Sequence, residues 1–225
     1  MKKYELTAEF IEKWGKKLFR IKALISFGSV EAGELGGYVE KEDNLAQDGD
    51  AWVYGDAWVC GDARVYGDAR VYGDARVYGD ARVYGDAEVY GNARVCGNAR
   101  VYGDAEVYGD AEVCGNARVY GDAEVYGDAE VCGDAEVCGN ADYLLIGRIG
   151  SRFSFTTFFK NKDKGITVSC GCFLGTIAEF RAKVTDTHGN NKHAKIYNLA
   201  ADMAELQILG EEYFDKLNTN KSEPF

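Results

Sequence analysis

The sequence predicts an all-β parallel β-helix followed by a small C-terminal α+β module, and three observations carry the prediction. Glycine falls at every sixth position from Gly49 to Gly139, valine from Val53 to Val137 and alanine from Ala51 to Ala141, without a break. A six-residue period does not fit the 3.6-residue face of a helix. The polar letters of this repeat vanish after Asp142, where apolar and helix-forming patterns take over.

Within each unit Ala, Arg or Glu, Val and Tyr alternate. Ala and Val point one way, and Arg/Glu and Tyr the other. Gly-Asp or Gly-Asn then supplies a corner, since glycine tolerates positive φ and Asp/Asn tolerate turns. Three such units per coil give a true period of 18 residues and a triangular prism. The cysteines support this: Cys60, Cys96, Cys114 and Cys132 are spaced by multiples of 18, Tyr78 fills the gap, and Cys138 lies in another column. About five coils at ~4.8 Å make a shaft on the order of 25 Å long. Its open ends require caps.

The flanks follow in order. Residues 1–48 read as an N-terminal cap, with Ile11, Trp14, Leu18 and Phe19 on a short amphipathic element and Phe19–Phe27 as a strand. Residues 49–150 are the repeat, with 143–150 (YLLIGRIG) as a last coil because Ile149 keeps the valine register. Residues 151–225 read as a hairpin, Arg152–Lys160 and Ile166–Phe173, then two helices. Thr176 to Glu179 is a capping box, opening a helix with Ile177, Phe180 and Val184 on its apolar stripe and Gly189 past its end. The second helix, near 192–209, places Ile196, Leu199, Met203 and Leu206 on one apolar face. This unit either caps the prism or stands as a separate module.

Composition bounds the function. Net charge is −11 over 225 residues, so direct nucleic-acid binding is disfavoured. No signal peptide is expected from Met1-Lys2-Lys3-Tyr4-Glu5-Leu6, and no apolar run approaches bilayer length. With seven cysteines, reduced thiols in a cytoplasm are the default, and disulfides along the cysteine column are not expected.

The uninterrupted G-[DN]-A-x-V-[YC] units resemble left-handed β-helix hexapeptide proteins. The entry segment, Leu18-Phe19-Arg20-Ile21-Lys22-Ala23-Leu24, Phe27-Gly28, Gly36-Gly37-Tyr38-Val39, Asn44-Leu45 and Trp52-Val53-Tyr54, is similar to bacterial and bacteriophage proteins labelled acyltransferases or polymer-forming proteins. The resemblance implies a left-handed solenoid. Acyltransferases of that class place a catalytic histidine near a trimer interface and extrude a loop from one coil. Here the only histidines, His188 and His193, lie outside the repeat, and no loop interrupts residues 49–142. The segment Ser169-Cys170-Gly171-Cys172-Phe173 with Glu179-Phe180 and Thr187-His188-Gly189 resembles C-terminal modules of gut-phage proteins.

Charge is the most informative surface feature. Asp86, Glu88, Asp104, Glu106, Asp122 and Glu124 stack as one acidic face, which invites a basic protein surface or divalent cations unless it is simply solvated. Arg64, Arg82, Arg100 and Arg118 form a column beside Asp62, Asp80, Asn98 and Asn116, read as locally paired rather than as an anion site. The tyrosine ladder Tyr54, Tyr72, Tyr90, Tyr108 and Tyr126 reads as self-stacking before ligand binding. The small cysteine column leaves room for the C-terminal helices or a neighbouring subunit. No catalytic residue, cofactor or metal is assigned; Cys170, Cys172, His188 and His193 are the weaker zinc alternative, C-x-C being tighter than the usual spacing.

These readings point to a non-enzymatic scaffold that presents acidic, arginine and tyrosine ladders to a protein partner, with homo-oligomerisation open and no membrane contact. An acyl-CoA-dependent acyltransferase and a phage-encoded inhibitor acting through an acidic rod are the alternatives.

Overall fold

Two-residue strands between glycine corners bury their valines only by stacking lap on lap. The computed structural model, which describes residues 2–210, shows this arrangement from Gly49 to Cys138. Each strand pairs in parallel with the strand 18 residues further on: Glu88 opposite Glu106, Arg94 opposite Glu112, Arg100 opposite Arg118. Three faces result. The residues alternating with valine on the first are Trp52, Arg70, Glu88, Glu106 and Glu124, Trp52 being fully buried against Tyr4 and Phe27 of the N-terminal cap. Those of the second are Trp58, Arg76, Arg94, Glu112 and Glu130. The third carries Arg64, Arg82, Arg100, Arg118 and Glu136. Every repeat valine from Val53 to Val137 and every repeat alanine from Ala51 to Ala135 is fully buried, as the pattern requires. The corner glycines are obligatory. Gly97 has φ 66°, and a Cβ there would stand 3.0 Å from the backbone nitrogen of Gly115, one lap on.

The N-terminal cap differs from the sequence reading. Instead of an amphipathic element followed by a strand over 19–27, β1 (Tyr4–Lys13) and β2 (Lys16–Ala23) form an antiparallel hairpin. Trp14 and Gly15 turn it with φ 50° and 73°. Apolar residues at 11, 14 and 18 fit a helix and a hairpin alike; pairing with β3 (Leu35–Val39) decides the matter, because β3 joins β2 to the shaft. Tyr38 of β3 pairs in parallel with Trp58, and Leu45 bridges to Val65, adding a partial lap. The carbonyls at this end are taken up by two buried side chains. Asn44 donates to Gly61 O at 3.0 Å and Ala63 O at 2.8 Å. Lys3 Nζ donates to the carbonyls of Asp48, Gly49 and Ala51 at 3.3, 3.1 and 3.0 Å.

At the other end the repeat stops where Gly139 abandons positive φ and a 3₁₀ turn begins, Asn140–Asp142. Asp142 is buried and accepts from Cys138 N at 3.0 Å and Lys160 Nζ at 2.8 Å. Burial pushes its carboxyl up, but donation from Cys138 and Lys160 outweighs that and holds it below the usual range.

Residues 143–150 are not a last coil. β4 (Tyr143–Ile149) is the first strand of a four-stranded antiparallel sheet with β5 (Ser154–Lys160), β6 (Ile166–Cys170) and β7 (Phe173–Thr176). Without a Gly-Asp corner the apolar run stays extended, and Tyr143 pairs with Phe159. The sheet is apolar on both sides. Tyr143, Leu145 and Phe159 join the shaft core, whereas Leu144, Ile146 and Phe158 join a second core under the helices. It therefore caps the prism rather than standing apart.

α1 (Ile177–His188) starts at the Thr176–Glu179 capping box and ends at Gly189, φ 56°. α2 (Lys192–Leu209) follows, but its expected core face is turned outward. Ile196, Leu199, Met203 and Leu206 are 39, 63, 58 and 46% exposed, while Ala194, Tyr197, Ala200, Ala201, Ala204 and Ile208 pack inward. Small alanines let α2 lie close to its neighbours. Arg181 of α1 fixes the rotation by reaching Asp202 and Glu205 of α2, each at 2.7 Å. No helix among the described residues is long and apolar enough to cross a membrane.

Candidate functional site

The alternation that buries valine sends the residue before it and the residue after it outward, so every lap displays the same pair of positions. Columns one lap apart then stand at sheet spacing, and their chemistry depends on what faces what.

On the first face the glutamates do not repel freely. Tyr72 donates its hydroxyl to Glu88 at 2.7 Å, Tyr90 to Glu106 at 2.8 Å and Tyr108 to Glu124 at 3.1 Å. Arg70 reaches Glu88 at 3.2 Å. The tyrosine rings stack nearly parallel, 4.7 Å apart for Tyr72–Tyr90 and 4.9 Å for Tyr90–Tyr108. Burial first, and then the adjoining glutamate, pushes the Tyr72 and Tyr90 phenols well above their ordinary range, so they remain donors. The two ladders are one interlocked structure. The recurrent spacing of Tyr at i and Glu at i+16 was the signal for it in the sequence. Asp86, Asp104 and Asp122 lie apart from this network at an exposed corner. The self-stacking reading of the tyrosines holds for Tyr72 to Tyr126. A second stack, Tyr66, Tyr84, Tyr102 and Tyr120, runs up the third face at 4.8, 4.9 and 5.1 Å.

The arginine column is not the locally paired ladder expected. Arg64, Arg82, Arg100 and Arg118 stack in register. Arg118 pairs with Glu136 of the next lap at 3.4 Å. The other three have no carboxylate within ion-pair distance among the described residues. Three of their corner neighbours are engaged elsewhere: Asp62 pairs with Lys41 at 2.6 Å, Asn98 donates to Asn116 at 3.2 Å and Asn116 donates to Asp134 at 3.1 Å. The Arg64 end adjoins a groove shared with Arg82, Tyr66, Glu42 and Asp43.

The cysteine column is covered at its N-terminal end by the β1–β2 hairpin, not by the C-terminal helices. Cys60 is buried with Leu18, Tyr38 and Trp58, and Trp14 reaches across to Trp58 and Tyr78 with ring centroids at 4.9 and 5.0 Å. Contrary to the expectation of free thiols, Cys114 and Cys132 are disulfide-bonded with Cα atoms 4.6 Å apart. One lap of rise brings such a pair within bonding range. Cys60 and Cys96 are free.

The zinc alternative is not assembled. Cys170 ends β6 and pairs with Phe173, so Gly171-Cys172 is the turn of a hairpin and the two cysteines do not share a strand face. His188 ends α1, His193 opens α2, and their rings are 5.8 Å apart. Among the described residues no group of three or more His, Cys, Asp or Glu is placed to hold a metal.

Four stretches of the shaft, residues 63–79, 75–91, 93–109 and 111–127, match the YdcK beta solenoid repeat. The comparison with curated proteins finds no match. The match falls on the laps whose in-register pairing is described above, and the chain is a β-solenoid repeat protein.

Proposed function

We propose that this solenoid is a non-enzymatic scaffold that offers its third face, the in-register arginines, to an acidic surface of a protein partner. The observation behind this reading is the segregation of charge. On the first face one arginine precedes glutamate and on the second two, Arg76 and Arg94, with pairs at 3.2 Å for Arg70–Glu88 and 3.6 Å for Arg94–Glu112. The third stacks four arginines in register before Glu136, and only Arg118 is paired, at 3.4 Å. Like charges in cross-strand positions destabilise a sheet, and an acidic partner offsets that cost on binding. The stacked tyrosines beside them hold the face rigid, and little ordering entropy is lost when a partner docks. Asp86, Asp104 and Asp122, with the tyrosine-bound Glu88, Glu106 and Glu124, form a separate acidic surface for a basic contact.

Affinity capture from lysate with wild type, Arg82→Glu/Arg100→Glu and Asp86→Asn/Asp104→Asn/Asp122→Asn tests the reading. The expected result is a partner that is released at high salt and lost with the arginine reversal. A partner held equally by the arginine-reversed protein would overturn it. Calorimetric titration with acetyl-CoA is expected to be silent, and a saturable heat would replace the scaffold reading with an acyl-transfer one.

A further inference from the structure

The C-terminal module contains a cavity of about 220 Å³ between the β6–β7 hairpin, the loop before β5, and the facing sides of α1 and α2. Its size is below the ~300–1,000 Å³ of sites for drug-sized ligands, so its occupant is small. Three features point to the chemistry of that occupant.

The first is charge. Arg152, Lys183 and His188 line the cavity, and none of its thirteen lining residues is Asp or Glu, in a chain that carries 37 of them. Arg152 has no carboxylate partner among the described residues. Its guanidinium approaches the hairpin at Gly171, where a Cβ would stand 3.6 Å away. Lys183 is held only loosely, at 3.7 Å from Asp186. The second feature is an aromatic wall. Phe173 and Phe180 lie 5.7 Å apart, Phe180 meets Tyr197 edge-on at 5.6 Å, and His188 stacks on Tyr197 at 5.8 Å. The third is the turn that delivers Arg152. Ile149 pairs with Ser154, so Gly150 to Phe153 join β4 to β5, with Gly150 at φ 73° and Phe153 at φ 50°, as Trp14 and Gly15 join β1 to β2. This turn brings Arg152 to the cavity mouth.

We propose that this cavity is a binding site for a small organic anion, with a flat apolar body against the Phe173, Phe180 and Tyr197 rings and a carboxylate or phosphate on Arg152 and Lys183. Guanidinium and ammonium groups at the lip match such a head group, and Arg152 supplies a planar fork of donors. The site is independent of the arginine ladder on the shaft.

The test is ligand titration of the full chain by two-dimensional NMR, with benzoate, phenyl phosphate, benzamide and inorganic phosphate as probes. The expected result is saturable shifts at Gly171, Cys172 and Lys183 with benzoate or phenyl phosphate, and binding at least tenfold weaker for benzamide and inorganic phosphate. Whichever of the two aromatic anions binds more tightly identifies the head group. Arg152→Ala and Lys183→Ala, each checked for an unchanged melting temperature, are expected to weaken the better probe at least tenfold, and Leu199→Ala to leave it unchanged. Absence of saturable binding by both aromatic anions, equal binding of benzamide, or unweakened binding by both Arg152→Ala and Lys183→Ala would overturn the proposal.

Discussion

Lys3 shows how one side chain can close a solenoid. Its ammonium is buried against three carbonyls of the first lap, beneath the Phe27 ring at 4.9 Å. Burial pulls its pKa down to about 8, with Asp48, Asp50 and Asp68 opposing. The folded pKa lies below the unfolded value, so between pH 8 and 10.5 the unfolded chain binds more protons and this residue's contribution to stability rises with pH. Denaturant titrations at pH 7.5 and 9.5 are expected to show wild type gaining relative to Lys3→Met, by no more than about 3 kcal/mol. At pH 7.5 the substitution itself is expected to cost about 2–4 kcal/mol by leaving carbonyls unpaired. α2 offers a second test at this scale. Met203→Lys on its outer face is expected to leave the melting temperature nearly unchanged, whereas Ala204→Leu overpacks the inner face and costs about 1–3 kcal/mol. The opposite order would restore the stripe that the sequence alone suggested.

At the scale of the element, a corner and its ladder set the lap. Gly97→Ala puts a Cβ 3.0 Å from the next lap's backbone at φ 66°; a destabilisation of about 2 kcal/mol or more is expected from the left-handed conformation and the clash together. Gly139→Ala, at extended φ with open space around it, is expected to be near neutral in the same thermal melt. Tyr90→Phe removes the donor to Glu106 and is expected to cost about 1–2 kcal/mol, since a half-buried carboxylate loses its partner. These contrasts also mark what the sequence could reveal. The inward turn of Val and Ala and the 18-residue lap were legible because both are strictly periodic. The capping box at Thr176 was legible because it is local. The side of α2 facing the core was not, because alanine and leucine stripes both fit a helix and the choice depends on Arg181, a residue of another helix. The Tyr–Glu interlock was only half visible, as two ladders without their joint. The cavity at Arg152 unites residues from five elements, β5, β6, β7, α1 and α2, and its thiols and His188 drew notice for a different chemistry.

At the scale of the molecule, the two ends of the shaft pose the same problem and solve it with different parts. A solenoid leaves its last lap with unpaired backbone groups, a template on which further strands can grow. The N-terminal end is closed by β3, Asn44 and Lys3. The C-terminal end is closed by the β4–β7 sheet, whose Phe159 and Leu145 extend the shaft core. Its polar groups take up those of the last lap. Thr157 Oγ1 accepts from Glu130 N at 3.1 Å, Ser169 donates to Glu130 at 2.8 Å, and Lys162 pairs with Asp134 at 2.7 Å. Because stability in a stacked array is a sum over neighbouring laps, losing the terminal interface weakens the end first. A chain ending at Asp142 keeps every lap but exposes the buried valines and edge groups around Val131 and Val137. It is therefore expected to self-associate in light scattering at concentrations where the full chain does not. Restoring residues 143–176 without the helices exposes the second core instead, and that fragment is expected to aggregate as well, through Phe158 and Val168. A monodisperse 1–142 fragment with an unchanged melting temperature would mean that the shaft closes itself and that the C-terminal sheet is not its cap.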